Sequence, residues 1–286
     1  VRFCVLGSSS GGNCALLQTP KARVLIDAGF SARRTREKLA EFGQSLDDID
    51  AVFITHEHTD HTNGLKGLCK LPNLKVFATY ATHCKILEQL PELPVKWQII
   101  QSGNAFEFND LTVQAFSVPH DAIDTVGYEF STGVGSPEDP KRSVAWITDL
   151  GHITASVAKH AAEADVLVLE SNHDLKMLQE SNRPFSLKQR IHGRHGHLSN
   201  DQTLEFLKSV PSPKWKHIFL AHISPECNDT SLVHDIFGDN LSPDGTCPIS
   251  IVDPANGCHD IVEFGPWQRE NPDPERCRVL RQGVLF

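Results

Sequence analysis

The sequence predicts an α/β protein in which strand and helix layers alternate along the chain. Three observations carry that expectation. Short apolar runs of strand length recur between Gly, Pro, Asp and Ser punctuation. Longer stretches of helical character separate several of these runs. A histidine-rich tract, His56–His61, directly follows one of them and so reads as a loop at the C-terminal end of a buried strand. The chain has 286 residues, enough for one large domain or two small ones with no need of staples. Hydrophobic residues at 40% and charged residues at 22% are ordinary globular usage, which excludes disordered, collagen-like and coiled-coil classes.

In chain order, Phe3–Leu6, Ala15–Gln18, Val24–Ile26 and Ala51–Ile54 read as buried strands, with a helix over Ser31–Phe42. Lys75–Thr79 and Thr112–Val118 are further strands, with a helix over Thr82–Gln89 between them and a turn at Asn109-Asp110. Ser143–Thr148 and Val166–Glu170 are apolar runs joined by a helix around Ile153–Ala164. A helix over Asp201–Ser209 then precedes the strand His217–Ala221. Beyond Pro225 the composition shifts to Asn, Asp, Pro and Gly, and Ile249–Val252 and Asp260–Phe264 read as a strand pair closing a sheet edge. No repeat or low-complexity segment interrupts the chain, so residues 1–264 are expected to form one domain and 265–286 a C-terminal tail or arm.

The formal charge of −9 opposes bulk electrostatic coating of nucleic acid and leaves only a local basic groove for that purpose. The eight cysteines contain no CxxC pair, so reduced thiols are expected, and no run approaches the length of a membrane span. Val1–Gly7 reads straight into a strand without the regions of a signal peptide, and a cytoplasmic protein without a membrane partner is expected. Fifteen histidines beside a single methionine demand an explanation, because imidazole is the commonest transition-metal ligand.

His56-Glu57-His58-Thr59-Asp60-His61 places the four candidate ligands His56, His58, Asp60 and His61 within six positions. On a tight loop the first two imidazoles can converge on one cation, while Asp60 and His61, at the start of the next helix, point to a neighbouring one. Later strands end in further candidates: His120 after Val113–Val118, Asp149 after Val144–Thr148, and His222 after Ile218–Ala221.

H-x-H-x-D-H after a buried strand, with these later residues in order, resembles the metallo-β-lactamase fold, an αββα sandwich of two mixed sheets flanked by helices. The resemblance implies that His56, His58 and His120 bind one metal, that Asp60, His61 and His222 bind a second, and that Asp149 and a hydroxide bridge them. Two divalent ions then serve hydrolysis, with zinc or manganese expected and iron admitted. Asp rather than Cys at position 149 favours a bridged dinuclear site over antibiotic hydrolysis, and His at position 58 disfavours a redox use of the fold. The 73 positions from Asp149 to His222 leave no space for the large inserted cap of the β-CASP nucleases.

Two segments point toward phosphodiesters. Gly7–Asn13 follows the first strand and, as a loop, offers Ser9, Ser10 and Asn13 to a phosphate. Arg183–His197 contains no acidic residue in an acidic protein, and its Arg190 and Arg194 suit backbone phosphates. A flexible turn and a solvated basic loop are the respective bland alternatives. With Ser117–Ala122, Ile147–Gly151, Glu170–Asp174, Gly196–Asn200 and Leu220–Ser224, these segments resemble the YycJ/WalJ-like branch of the fold, proposed exonucleases on duplex DNA, and more distantly ribonuclease Z.

That resemblance implies DNA as the substrate, with His197 as general acid held by Glu170 beside the catalytic Asp60, and His173 near the substrate. A supporting role for Glu170, His173 and His197 behind the metal ligands is the alternative, and Asp27 fits that supporting role best. Hydrolysis of a small phosphodiester or thioester, or a non-catalytic metal-binding regulatory role, are the rival functions. Oligomeric state stays open, a homodimer included.

Overall fold

The computed structural model describes residues 1–72, 74–136, 139–241 and 247–264. In chain order its elements are β1 (Arg2–Ser9), β2 (Gly12–Gln18), β3 (Arg23–Ile26), α1 (Ala32–Glu41), β4 (Ala51–Phe53), α2 (Thr59–Thr62), α3 (Leu65–Leu68), β5 (Lys75–Thr79), α4 (Tyr80–Gln89), β6 (Lys96–Ile100), β7 (Ala105–Phe108) and β8 (Leu111–Ser117). There follow β9 (Val126–Thr132), β10 (Arg142–Ile147), α5 (Ala155–Glu163), β11 (Val166–Glu170), α6 (Leu175–Glu180), α7 (Phe185–Ile191), α8 (Asn200–Ser209), β12 (His217–Ala221), α9 (Thr230–Leu241), β13 (Ile249–Ile251) and β14 (Val262–Glu263).

Among the described residues the strands form two seven-stranded mixed sheets, β14-β1-β2-β3-β4-β5-β6 and β13-β12-β11-β10-β9-β8-β7. Their inner faces pack together through Phe3, Ile26, Phe53, Val113, Tyr128, Trp146 and Phe219. Phe53 ties the layers: its ring stacks on Phe77 at 4.4 Å and meets Tyr128 and Phe130 edge-on at 5.7 and 5.1 Å. Helices α1, α3 and α4 cover the outer face of the first sheet, and α5, α8 and α9 that of the second. The result is the expected αββα sandwich. Side-chain caps set helix starts the sequence marks: Ser31 for α1, Thr79 for α4, Thr154 for α5, and a Ser199–Gln202 capping box for α8.

Strands β3 and β4 are parallel, as are β10, β11 and β12, and β8 runs with them because β9 is antiparallel to both β8 and β10. The loops after their C-terminal ends therefore gather along one edge of the sandwich, where the site lies.

Several local expectations are corrected. Gly7–Asn13 is not an open loop: β1 runs through Ser9 and β2 starts at Gly12, leaving only Ser10-Gly11 at the turn. Ile249–Val252 and Asp260–Phe264 do not pair with each other. β13 joins β12 in the second sheet and β14 joins β1 in the first, each completing a different edge. The basic segment is not a loop throughout, since Phe185–Ile191 is helical and buries Ile191 against Leu178 and Cys227. Strands β6, β7 and β9 and helices α6, α7 and α9 were not anticipated. The tail 265–286 lies outside the described residues. None of the seven cysteines described forms a disulfide, and no helix described is long and apolar enough to cross a membrane.

Candidate metal centre

Every residue expected to hold metal lies at the shared edge, in two sets whose ligand atoms fall within 4.8 Å of one another: His56, His58 and His120, and Asp60, His61, Asp149 and His222. In the first set His58 Nδ1 stands 3.0 Å from His56 Nε2 and 3.4 Å from His120 Nε2. Asp149 stands between the sets, with Oδ1 3.8 Å from His120 Nε2 and 3.5 Å from His222 Nε2, and Oδ2 3.2 Å from His61 Nε2. A third overlapping set joins Asp149 and His222 to Glu170 and His197.

Hydrogen bonds to the far ring nitrogens aim the imidazoles. His61 Nδ1 donates to Asp27 Oδ2 at 2.8 Å, and His222 Nδ1 to Glu170 Oε1 at 2.8 Å. His120 Nδ1 donates to the Gly196 carbonyl at 3.2 Å, and His56 Nδ1 to the Thr55 hydroxyl at 3.0 Å. Each bond leaves Nε2 facing the site. Asp27 also accepts from the Thr55 N–H and hydroxyl, so it holds the start of the histidine loop in place. Glu170 Oε1 further accepts from His197 Nδ1 at 2.7 Å, while Oε2 accepts from Leu150 N–H at 2.9 Å.

Asp27, Asp149 and His222 all adopt positive φ, near 61°, 58° and 55°. Such conformations cost about 1–3 kcal/mol each outside glycine, and here all three sit where the chain leaves a strand to present a polar side chain. Close backbone approach sets two neighbouring positions. A Cβ on Gly29 would lie 1.8 Å from the Asp60 carbonyl oxygen, and one on Gly151 would lie 2.3 Å from the Arg194 carbonyl carbon. The second contact seats the strap His192–His197 beside Asp149, and His152 Nδ1 donates to the Arg194 carbonyl at 2.9 Å.

The electrostatics fit cations. Burial opposes charge on His61 and His222, yet Asp27 and Asp149 outweigh it at His61, and Asp149, Asp60 and Glu170 outweigh it at His222. His61 rises well above ordinary imidazole and His222 to about 10. Burial likewise raises the Asp60 carboxyl, but His61 and His222 prevail and hold it well below the usual carboxylate range. Asp149 Oδ2 and His222 Nε2 are buried without a hydrogen-bond partner, which is costly unless a cation meets them. Converging imidazoles, carboxylates and unpartnered buried donor atoms are a donor set for divalent transition ions.

The other expected residues divide by exposure. Asn13 is buried, and its Nδ2 donates to Asp60 Oδ2 at 3.3 Å and to the Ser9 carbonyl at 3.1 Å. Ser9 is buried with its hydroxyl toward the Pro254 carbonyl, whereas Ser10 is exposed at the hairpin tip. Arg190 is exposed and ion-paired with Asp121, and Arg194 is exposed. His173 is fully buried, both ring nitrogens lack a partner, and burial pushes it down to about 4.

Sequence reasoning missed the polar frame behind the ligands. Asn172 Nδ2 donates to the His222 carbonyl at 2.8 Å, Asn228 Nδ2 to the Ser171 and Asn172 carbonyls, and Ser171 Oγ to Asn200 Oδ1 at 2.7 Å. Ser8 Oγ receives the His222 N–H at 3.1 Å, and Glu57 Oε1 receives the Ile123 N–H at 3.0 Å. Asn and Ser next to ligand motifs were the available signal, but their partners are distant in sequence.

A family model described as a beta-lactamase superfamily domain matches residues 22–223. Exodeoxyribonuclease WalJ of Streptococcus pneumoniae is 32% identical over 237 residues, covering 82% of this chain and 85% of its own. Exodeoxyribonuclease YycJ of Bacillus anthracis is 32% identical over 229 residues, covering 80% and 84%. The short form of human tRNase Z shares the fold with a TM-score of 0.63 at 16% identity, covering 93% of this chain and all of that one. The chain therefore belongs to the β-lactamase superfamily and is a metal-dependent hydrolase of the metallo-β-lactamase fold.

Proposed function

We propose that this protein is an exonuclease that hydrolyses phosphodiester bonds from a DNA end, duplex DNA included, with two divalent ions, zinc or manganese, in the paired ligand sets. The observation that carries this reading is the pairing of His197 with Glu170 immediately beside Asp149 and His222, in a chain whose relatives are named exodeoxyribonucleases. His56, His58 and His120 hold one ion and Asp60, His61 and His222 the other, with Asp149 shared. When bound, the ions supply an activated water and neutralise charge on the phosphoryl oxygens.

The chain's own residues do the rest. Asp27 and Glu170 keep His61 and His222 in the tautomers that face the site. His197 Nδ1 is bound to Glu170 Oε1, so its Nε2 is left to deliver a proton to the leaving oxygen. Burial lowers the proton affinity of His197, but Glu170 more than reverses this, which favours the donating form. Its side chain is 21% exposed, enough for a substrate to reach it. Arg190, Arg194 and Ser10 stand on the exposed rim and contact backbone phosphates. Asn13 and Ser9 act from behind Asp60, and His173 lies deeper than direct contact allows.

The test is incubation of zinc- and manganese-loaded protein with 5′-labelled duplex DNA, single strands and RNA, beside Asp60→Asn. Stepwise, metal-dependent shortening of DNA that the variant lacks is the expected result. Intact polymers together with cleavage of a small diester or thioester would remove the DNA assignment.

A further inference from the structure

Two exposed apolar side chains stand on the sheet edge that carries the first histidine set. Tyr80, which opens α4, is 68% exposed, and Ile123, three residues after His120, is 58% exposed. Sheet register explains the position of Tyr80. Phe53 pairs with Phe77 across β4 and β5, so Tyr80 lies three residues past its strand's pairing residue, as His56 does past Phe53, at the same edge. The loop carrying Ile123 is fastened to that neighbourhood from two sides. Thr82 Oγ1 donates to the Asp124 carbonyl at 3.2 Å, and the Ile123 N–H donates to Glu57 Oε1 at 3.0 Å, Glu57 lying within the histidine loop itself. Behind Tyr80, the His83 ring lies at 6.3 Å and rests edge-on against Trp97 at 4.7 Å. On the far flank of the same loop, Asp121 is ion-paired with Arg190 of the basic segment.

A ring and a branched aliphatic side chain held on braced backbone, exposed at the mouth of a hydrolytic site, match the flat apolar face of a nucleobase. Base–aromatic stacking needs no particular base, and a branched aliphatic residue packs against a base step as a wedge. The adjacent Arg190 meets Asp121 through Nε but is 62% exposed, so its guanidinium still presents N–H groups to solvent, which favours an occupant that carries phosphate over an apolar protein surface.

We propose that Tyr80 and Ile123 form the platform on which the terminal base of a DNA strand packs while the phosphodiester behind it enters the histidine site. This rests on the nuclease reading above and deepens it: a platform at one rim is what lets the enzyme engage a strand end. Tyr80 supplies the stacking face and Ile123 blocks continuation of the stack. Neither residue touches the reacting atoms.

The test uses the metal-loaded full chain and a DNA oligonucleotide with 2-aminopurine as its terminal base, mixed in a stopped-flow fluorimeter, alongside hydrolysis of bis(4-nitrophenyl) phosphate. Wild-type protein quenches the terminal fluorophore. Tyr80→Ala loses that quenching and raises the KM for DNA about tenfold, Ile123→Ala has a smaller effect in the same direction, and Tyr80→Phe restores the wild-type values. Small-diester hydrolysis is unchanged in all of them. Val134→Ala, 84% exposed at the opposite edge in the β9–β10 connection, changes nothing. Quenching and KM that are the same in Tyr80→Ala as in wild type overturn the platform, as does a parallel loss on the small diester. Tyr80-dependent quenching without cleavage of DNA leaves the platform standing and removes the nuclease reading, whereas cleavage without Tyr80 dependence does the reverse.

Discussion

The two halves of the candidate metal centre are built from similar ligands but backed by different chemistry. Behind His56 and His120 stand neutral groups, the Thr55 hydroxyl and the Gly196 carbonyl. Behind His61 and His222 stand the carboxylates of Asp27 and Glu170. The consequence is electrostatic. Burial and neighbouring imidazoles push His56 well below ordinary histidine and also lower His120, while the surrounding carboxylates lift His61 and His222. Carboxylates behind a ring raise its basicity as a ligand and draw positive charge to the site, so the second set is expected to bind a cation more tightly than the first once the ring protons leave.

The most damaging way to test the contrast is to remove the residue both halves share. Asp149→Ala is expected to abolish binding at both sets and to lower activity by more than the roughly 10–100-fold that follows loss of a backing group. Metal stoichiometry by plasma mass spectrometry reads the result, and retention of one full equivalent would show that Asp149 serves a single set. Next, Asp27→Asn should weaken the second set by about 10–100-fold while sparing the first. Competition with a chromophoric chelator resolves the two equilibria, and equal weakening of both would dissolve the distinction.

Gly151→Ala should act on the opposite half. Its added Cβ displaces the strap at Arg194 and draws the Gly196 carbonyl from His120. One equivalent of metal becomes labile, with thermal stability reduced by roughly 1–3 kcal/mol.

The smallest effect comes from a histidine–carboxylate pair outside the centre. His160 Nδ1 donates to buried Glu129 Oε2 at 2.7 Å, and this bond, aided by Lys141 and opposed by burial, holds the Glu129 carboxyl below its ordinary value. Because the folded value is depressed, the stabilisation is present above the unfolded value near pH 4.3 and is lost as pH falls through the folded one. Glu129→Gln should cost about 1–3 kcal/mol at neutral pH and flatten the acid limb of stability in urea titrations. An unchanged acid limb would show that the pair does not couple to folding, and metal content should stay at wild type throughout.

What could be read early and what could not follow a physical line. Ala51–Ile54 was legible as a strand because its apolar side chains meet core on both faces, and the histidine tract was legible because ligand spacing on one loop is a local property. His120, Asp149 and His222 could be ordered because each follows such a strand. Strand β6 escaped notice because its edge position leaves Lys96, Gln98 and Ile99 exposed and erases the alternation. Helix α7 carried no such signal because its solvent side mixes Phe185, Ser186, Gln189 and Arg190 and only Ile191 is buried.

The sequence by itself determined the alternation of layers, the ligand types and the order in which they arrive, since burial pattern and donor chemistry are carried by neighbouring residues. Only the tertiary structure decided which carboxylate backs which imidazole, that Asn13 supports Asp60 from within, that the strap at Gly151 turns a carbonyl toward His120, and that the last two strands part to opposite sheets. Those contacts join positions from 34 residues apart, as between Asp27 and His61, to more than 200, as between Ser8 and His222, and no local pattern encodes a pairing that exists only once both sheets have closed on their core.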